Sequence, residues 1–165
     1  MPEDVANWQD WIQRHGAVAL LYAHQLTGSR ADAEDAVHDG FVRFWGRRHA
    51  AENLPALFFA SVRTAALDLR RGEARRRRRE RGHVPDVPQL AGPGESGEMR
   101  EQIERALREL PEAQREVVVM KIWGDLTFAQ IAEVVAESPN TVATRYRYAM
   151  AKLEQMLASE YEHGK

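Results

Sequence analysis

Asn140, Thr141 and Thr144 offer small hydrogen-bonding side chains, and Arg147 and Tyr148 follow within one further turn. Short donors and acceptors suit the edges of bases in a major groove, and Arg and Tyr suit phosphates, so the chemistry indicated is recognition rather than bond making. Such recognition needs a helix to present the set. Val142, Tyr146, Ala149 and Leu153, spaced by four, three and four, form an apolar stripe that turns Asn140, Thr141, Ala143, Thr144, Arg147 and Tyr148 outward. Ser138 followed by Pro139 marks the start: Ser as N-cap, and Pro at the first helical position, where its missing N–H costs nothing. Just upstream, Thr127 and Gln130 have capping-box spacing, and Phe128, Ile131, Ala132 and Val135 share the buried face of a short helix that runs out near Ala136. The stretch from Leu126 to Leu157 therefore reads as two helices joined by a tight turn, a form that helix-turn-helix proteins use on DNA. Ordinary amphipathic hairpins share the pattern. On these residues alone an operator-binding dimer and an adaptor that binds only protein remain open.

Other constellations are weaker. His38-Asp39 has the look of a phosphohydrolase metal dyad, but the further ligands are missing at any useful spacing, with only His15 and His24 as partners. The chain has neither a Gly-rich phosphate loop nor a G-x-S-x-G elbow, and its lack of cysteine excludes disulfides and thiolate metal sites. No catalytic residue, metal or cofactor is expected. Of Trp8, Trp11, Trp45 and Trp123, Trp45 alone adjoins polar and basic segments, where a ring could stack on an unpaired base; core packing is the commoner use of such a side chain.

The formal net charge of -2 conceals a segregation. From Arg70 to Arg81, eight arginines stand against two glutamates, leaving 15 basic and 23 acidic residues elsewhere. A local cluster of that kind holds phosphates while acidic surfaces serve another partner, although a solvated helix end has the same composition. No apolar run is long enough to span a bilayer, and the start MPEDVANWQD lacks the basic stretch of a signal peptide, so a cytoplasmic protein is expected, without membrane insertion.

The expected fold class is all-α. Two small helical domains, 1–81 and 98–165, flank a Pro/Gly-rich linker at 82–97 that contains three Pro and four Gly. In the first, an opening helix around Val5 to Ile12 and a second from Ala17 to Leu26 are expected, with a stop at Thr27-Gly28. Ser29 and Asp32 then cap a helix whose apolar face carries Ala33, Ala36, Val37, Gly40, Phe41, Phe44 and Trp45, leaving Asp32, Asp35, Asp39 and Arg43 outside the stripe. After a polar loop, Arg47 to Asn53, Pro55 opens a long helix that turns from apolar to strongly basic. In the second domain, Met99 to Leu110 reads as a helix ended by Pro111, and the apolar run Val117 to Trp123 as the most buried helix, stopped by Gly124.

This order of segments resembles the extracytoplasmic-function (ECF) sigma factors of bacterial RNA polymerase, in the sigma-70 family. ADAEDAVHDGFVRFW is similar to the family's polymerase-binding helix, LFFASVRTAALDLRR to its promoter-melting helix, and IAEVVAESPNTVATRYRYAMAKL to its minus-thirty-five reader. The resemblance covers nearly all of the chain after Ala17. It departs at Thr64, where the family often has Asn, and at Ala136, Asn140 and Ala143, where the family commonly has Gly, Gly and Lys.

The resemblance implies a sigma factor that binds core polymerase, directs it to particular promoters and promotes DNA opening, with sigma region 2-like and region 4-like domains and no covalent catalysis. It implies that Asp32, Asp35, Asp39, Phe41 and Trp45 dock on the polymerase. It assigns minus-ten DNA to Arg47, Arg48, His49, Asn53, Arg63, Arg70 and Arg71, and minus-thirty-five DNA to Ser138, Asn140, Thr141, Thr144, Arg145, Arg147 and Tyr148. An anti-sigma factor is the further partner implied.

Overall fold

A computed structural model describes residues 5–77 and 97–163, and every regular element among them is helical. The helices are α1 (Val5–Thr27), α2 (Arg30–Arg47), α3 (Leu54–Arg77), α4 (Gly97–Glu109), α5 (Glu112–Ile122), α6 (Phe128–Val135) and α7 (Pro139–His163), with a single 3-10 turn, Arg48–Ala50, between α2 and α3. Residues 82–96 of the expected linker and 78–81 of the arginine run lie outside the described residues. Gly97, assigned to the linker, is the first residue of α4.

The two helices expected before Gly28 are one. Gly16 does not interrupt α1, because a glycine inside a helix costs only about 1 kcal/mol while the apolar faces on both sides of it pack against the same core. Gly28, at φ 73, supplies the left-handed residue that turns the chain into α2. There Ser29 Oγ accepts the Asp32 amide at 3.3 Å, as its cap position requires.

Helices α1, α2 and α3 pack through small residues and rings. Ala33, Ala36, Gly40 and Phe44 form the buried face of α2. At Gly40 the crossing of α2 and α3 is so close that a Cβ would stand 2.7 Å from the Val62 Cα. One end of this unit is aromatic: Trp11 stacks on Phe44 at 5.1 Å and 3°, while Trp8 and Phe58 meet that pair edge-on.

The run Val117–Met120 of α5 is buried on every side because the helix faces two ways. Val118 joins Leu107, Leu110, Ala149 and Leu153, sealing α4 and α7. Val117, Val119 and Met120 join Tyr22, Phe59 and Val62 of the first three helices, together with Ile131 and Val135 of α6. The two halves of the chain therefore share one core, and a second cluster closes between α4, α5 and α7.

Helix α6 has both bonds of the expected capping box, the Gln130 amide to Thr127 Oγ1 at 3.1 Å and the Thr127 amide to Gln130 Oε1 at 2.8 Å. It ends at Ala136, held in the left-handed region at φ 57 and ψ 47. A Cβ there costs about 1 kcal/mol that glycine avoids. Ala136→Gly is expected to stabilise the chain by about 0.5–1 kcal/mol, seen as an unfolding midpoint higher by roughly 2–4 °C. A lower midpoint would show that Ala136 is held by packing rather than strained.

Candidate polymerase and nucleic-acid surfaces

The amphipathic period of α2 leaves an acidic face outward. Asp35 and Asp39 are exposed and Asp32 is half-buried in the first turn, where the helix dipole favours a carboxylate. Arg43 reaches Asp39 at 3.5 Å and Asp68 of α3 at 3.3 Å, so it offsets part of that charge and ties the two helices. Phe41 and Trp45 separate in role. Phe41 is half-buried among Phe44, Trp45 and Phe58. Trp45 is 38% exposed, edge-on to Trp8, and covered on one face by the Arg48 guanidinium at 3.6 Å. Val42, 57% exposed, lies one turn beyond Asp39 and gives this surface an apolar contact that sequence reasoning missed. The signal was available: Val42 falls outside the apolar stripe of α2.

The residues assigned to minus-ten DNA divide into three groups. Arg47, His49 and Arg71 are open to solvent, with Arg71 3.5 Å from Asp68. Arg48 is committed to Trp45, both to its ring and to its carbonyl. The expected polar loop is thereby partly ordered as a 3-10 turn. Asn53, Arg63 and Arg70 face the second half of the chain. Asn53 caps α3, its Oδ1 accepting the Ala56 amide at 3.1 Å, and the same oxygen accepts Gln130 Nε2 at 3.2 Å. Arg70 donates to Glu112 at 2.6 Å.

Arg63 belongs to a buried cluster. Its Nε donates to Glu116 Oε1 at 2.8 Å, and Tyr22 Oη donates to the same oxygen at 2.7 Å. The Glu116 side chain is only 5% exposed. Burial by itself lowers the Arg63 pKa, but the hydrogen bond and charge of Glu116 outweigh it and raise the pKa above its ordinary value. Burial, then the charge and hydrogen bond of Glu116, push the Tyr22 phenol well above its usual range.

In the hairpin, Ser138 Oγ accepts the Thr141 amide at 3.1 Å and starts α7, one of the longest helices of the molecule. Val142, Ala149 and Leu153 are buried as the stripe required, and Tyr146 packs on Phe128 with ring centroids 5.5 Å apart. Ser138, Asn140, Arg147 and Tyr148 are exposed, the last by 66%. Thr141 and Thr144 are half-buried rather than fully outward. Arg145 pairs with Glu137 at 3.2 Å, so its charge is partly neutralised.

Residues 11–79 match the family model of sigma-70 region 2, and residues 100–153 that of sigma-70 region 4. The ECF RNA polymerase sigma factor SigL of Mycobacterium tuberculosis is 30% identical over 154 residues, covering 87% of this chain and 84% of SigL. The chain belongs to the ECF sigma factor family. This sigma factor is also similar to the RNA polymerase sigma-E factor of Streptomyces coelicolor, 23% identical with 94% of this chain and 89% of the relative covered. Its fold is shared with RpoE of Bartonella quintana, solved in complex with the anti-sigma factor NepR, at TM-score 0.77 and 20% identity over 93% of this chain and 98% of RpoE. CnrH, solved with the cytosolic domain of CnrY, has the same fold at TM-score 0.64 and 22% identity, with 95% of this chain and 91% of CnrH covered.

Helices α1 to α3 thus carry region 2, and α4 to α7 region 4. Sigma factors are transcription initiation factors rather than catalysts. The two regions decide between the readings left open by the hairpin, since neither an operator-binding dimer nor a pure adaptor requires region 2. His38 is exposed on α2, and among the described residues no group of three or more His, Cys, Asp or Glu could hold a metal ion. Nor is any helix among them long and apolar enough to cross a membrane.

Proposed function

We propose that the acidic face of α2 docks this sigma factor on core polymerase while the start of α7 reads the upstream promoter element. The observation that carries the reading is that both faces are open on a single chain: Asp35, Asp39 and Val42 in region 2, and Asn140, Arg147 and Tyr148 in region 4. Charge complementarity orients the docking, with Asp32 and Trp45 at its margin and Phe41 supporting from within. Residues 1–81 act on the polymerase and on minus-ten DNA, 98–165 on minus-thirty-five DNA, and 82–97 link them.

Arg47, Arg48, His49, Asn53, Arg63, Arg70 and Arg71 hold the separating strands, a flipped base costing a few kcal/mol that their contacts offset. In region 4, Ser138, Thr141, Thr144 and Arg145 support the exposed readers. The protein itself catalyses no covalent step and acts in the cytoplasm. An anti-sigma factor is its expected inhibitor, by analogy with the NepR-bound relative.

The test is transcription in vitro on a promoter library, with core polymerase and with or without this chain. Transcripts from a promoter subset, dependent on the chain, are expected. Arg147→Ala is expected to weaken promoter binding and to reduce the slope of log affinity against log salt by about one, the loss of one phosphate contact. A library silent in both conditions would refute the function. Unchanged affinity over the salt series would remove the role of Arg147.

A further inference from the structure

The turn that leads from α2 to α3 has little of its own to hold it. His49, Ala50 and Glu52 are exposed there, and a long backbone bond closes the turn, from the Ala51 amide to the Arg48 carbonyl at 3.4 Å. Arg47, at the N-cap of the 3-10 turn, makes no side-chain cap bond. Arg48 supplies the anchor. Its Nη1 donates to the Trp45 carbonyl at 2.5 Å, in the last turn of α2, where the negative end of the helix dipole favours a cation. Its guanidinium carbon also lies 3.6 Å from the centroid of the Trp45 ring, well within the range of a cation on an aromatic face.

The ring beneath the cation is itself braced. Trp8 packs against Trp45 with centroids 5.1 Å apart, Trp11 against Trp8 at 5.7 Å, and Trp11 stacks on Phe44, which is fully buried. A ladder of rings thus runs from the core, through the start of α1, to an exposed turn.

We propose that Arg48 is a positioning residue for minus-ten recognition: held by Trp45 and, behind it, by Trp8, it sets the direction in which Arg47 and His49 meet DNA and makes no phosphate contact of its own. Within the assignment of this turn to minus-ten DNA, on which the inference rests, Arg48 changes from strand holder to scaffold. A 3-10 turn winds three residues per turn, so successive side chains point about 120° apart. With Arg48 drawn inward onto Trp45, Arg47 and His49 are directed away, and both are exposed. To move out to a phosphate, Arg48 would have to give up its ring and its carbonyl together. Among the described residues Arg47 has neither tie. The stack also decides what Trp45 does, because a base has no room on the ring face that the guanidinium covers. Trp8 gives the first turns of α1 a task, since it steadies the ring on which Arg48 rests.

The test uses holoenzyme, core polymerase with the full-length chain, on promoters recovered from the library. Binding is followed over a salt series, and each recovered promoter is compared with copies carrying one changed minus-ten base. Arg48→Lys keeps the charge but loses the flat guanidinium, and Arg48→Ala loses both. Each is expected to reduce discrimination against the changed base by about tenfold, the size of a partly desolvated cation–π contact, while the slope of log affinity against log salt stays at the wild-type value. The reason is that the positioned turn becomes rarer, and a changed base gained nothing from it. Trp8→Leu, on α1, is expected to act in the same direction by a few-fold. Arg47→Ala provides the contrast, with a slope lower by about one. Trp45 is left unaltered because it also lies at the margin of the docking surface.

Wild-type behaviour of Arg48→Lys, together with a slope lower by about one in Arg48→Ala, would make Arg48 a phosphate contact and overturn the proposal. So would unchanged discrimination in both Arg48 variants, since a merely structural tie would lower the unfolding midpoint and nothing else. If either result came with normal transcription by the wild-type holoenzyme, the sigma factor function would stand and the positioning role alone would fall. If the wild type directed no transcription at all, both would fall.

Discussion

Exchanging Asp35 and Asp39 together for arginine is expected to abolish capture of core polymerase while leaving the helical content and the unfolding midpoint close to those of the unaltered chain. Both carboxylates are exposed. Among the described residues Asp39 reaches only Arg43, at 3.5 Å, in a solvent-exposed pair of a kind worth about 0–1 kcal/mol, and Arg43 keeps Asp68 when that pair is lost. The fold therefore loses little. A docking surface that needs negative charge instead acquires two repulsive contacts, and like charges brought together at an interface cost several kcal/mol. At 1.4 kcal/mol for each factor of ten, the loss of affinity is expected to exceed about a hundredfold. Co-purification with core polymerase and a direct titration would measure it. Unaltered retention on the polymerase would remove the acidic face from the function.

Gly40→Ala is expected to have the largest effect on stability of any single-methyl addition to α2. The new Cβ would lie 2.7 Å from Val62 Cα and 2.8 Å from Val62 N, and main-chain atoms cannot rotate aside as a flexible side chain can. The helices must separate, and the loosened contact runs through Phe44, Phe58 and Phe59 in the same core. Overpacking costs about 1–3 kcal/mol, and backbone obstruction places this site at the upper end even after the better helix propensity of Ala is credited. An unfolding midpoint lower by roughly 5–10 °C is expected. Gly16→Ala provides the contrast, because nothing lies within 4 Å of its Cβ position. There the same methyl is expected to stabilise α1 by up to about 1 kcal/mol. Equal midpoints for the two variants would refute the close-approach account.

The two glycines also show what sequence can and cannot disclose. Each interrupts a helical pattern, and only the neighbour 22 residues away at Val62 distinguishes them. Features written within one turn were legible: the Thr127–Gln130 box, the Ser138 cap, the Ser29 cap, and the buried stripes of α2 and α7. So was the all-helical class. Features that depend on distant partners were not. Arg63 and Arg70 look like outward basic residues of a helix turning positive, yet their carboxylates come from 53 and 42 residues further along the chain. Glu116 begins an apolar run and has no local reason to be buried; Tyr22, at a separation of 94, provides part of that reason. Asn53 was read as part of a loop because its capping role depends on where α3 begins, with Pro55 one residue beyond the usual first position. Arg71 kept the exposure expected of it.

The two-faced burial of α5 has a consequence for synthesis. Phe59 and Val62 leave the ribosome with α3, but the residues that cover them, from Val117 to Val135, are made later. At about 5–20 residues per second, the roughly 60 residues between the end of α3 and the end of α6 take about 3–12 s. For that interval the side of α3 that α5 and α6 will cover has nothing from the chain's second half to shield it. The first molecule to meet that face in the growing cell has a head start over the chain's own second half.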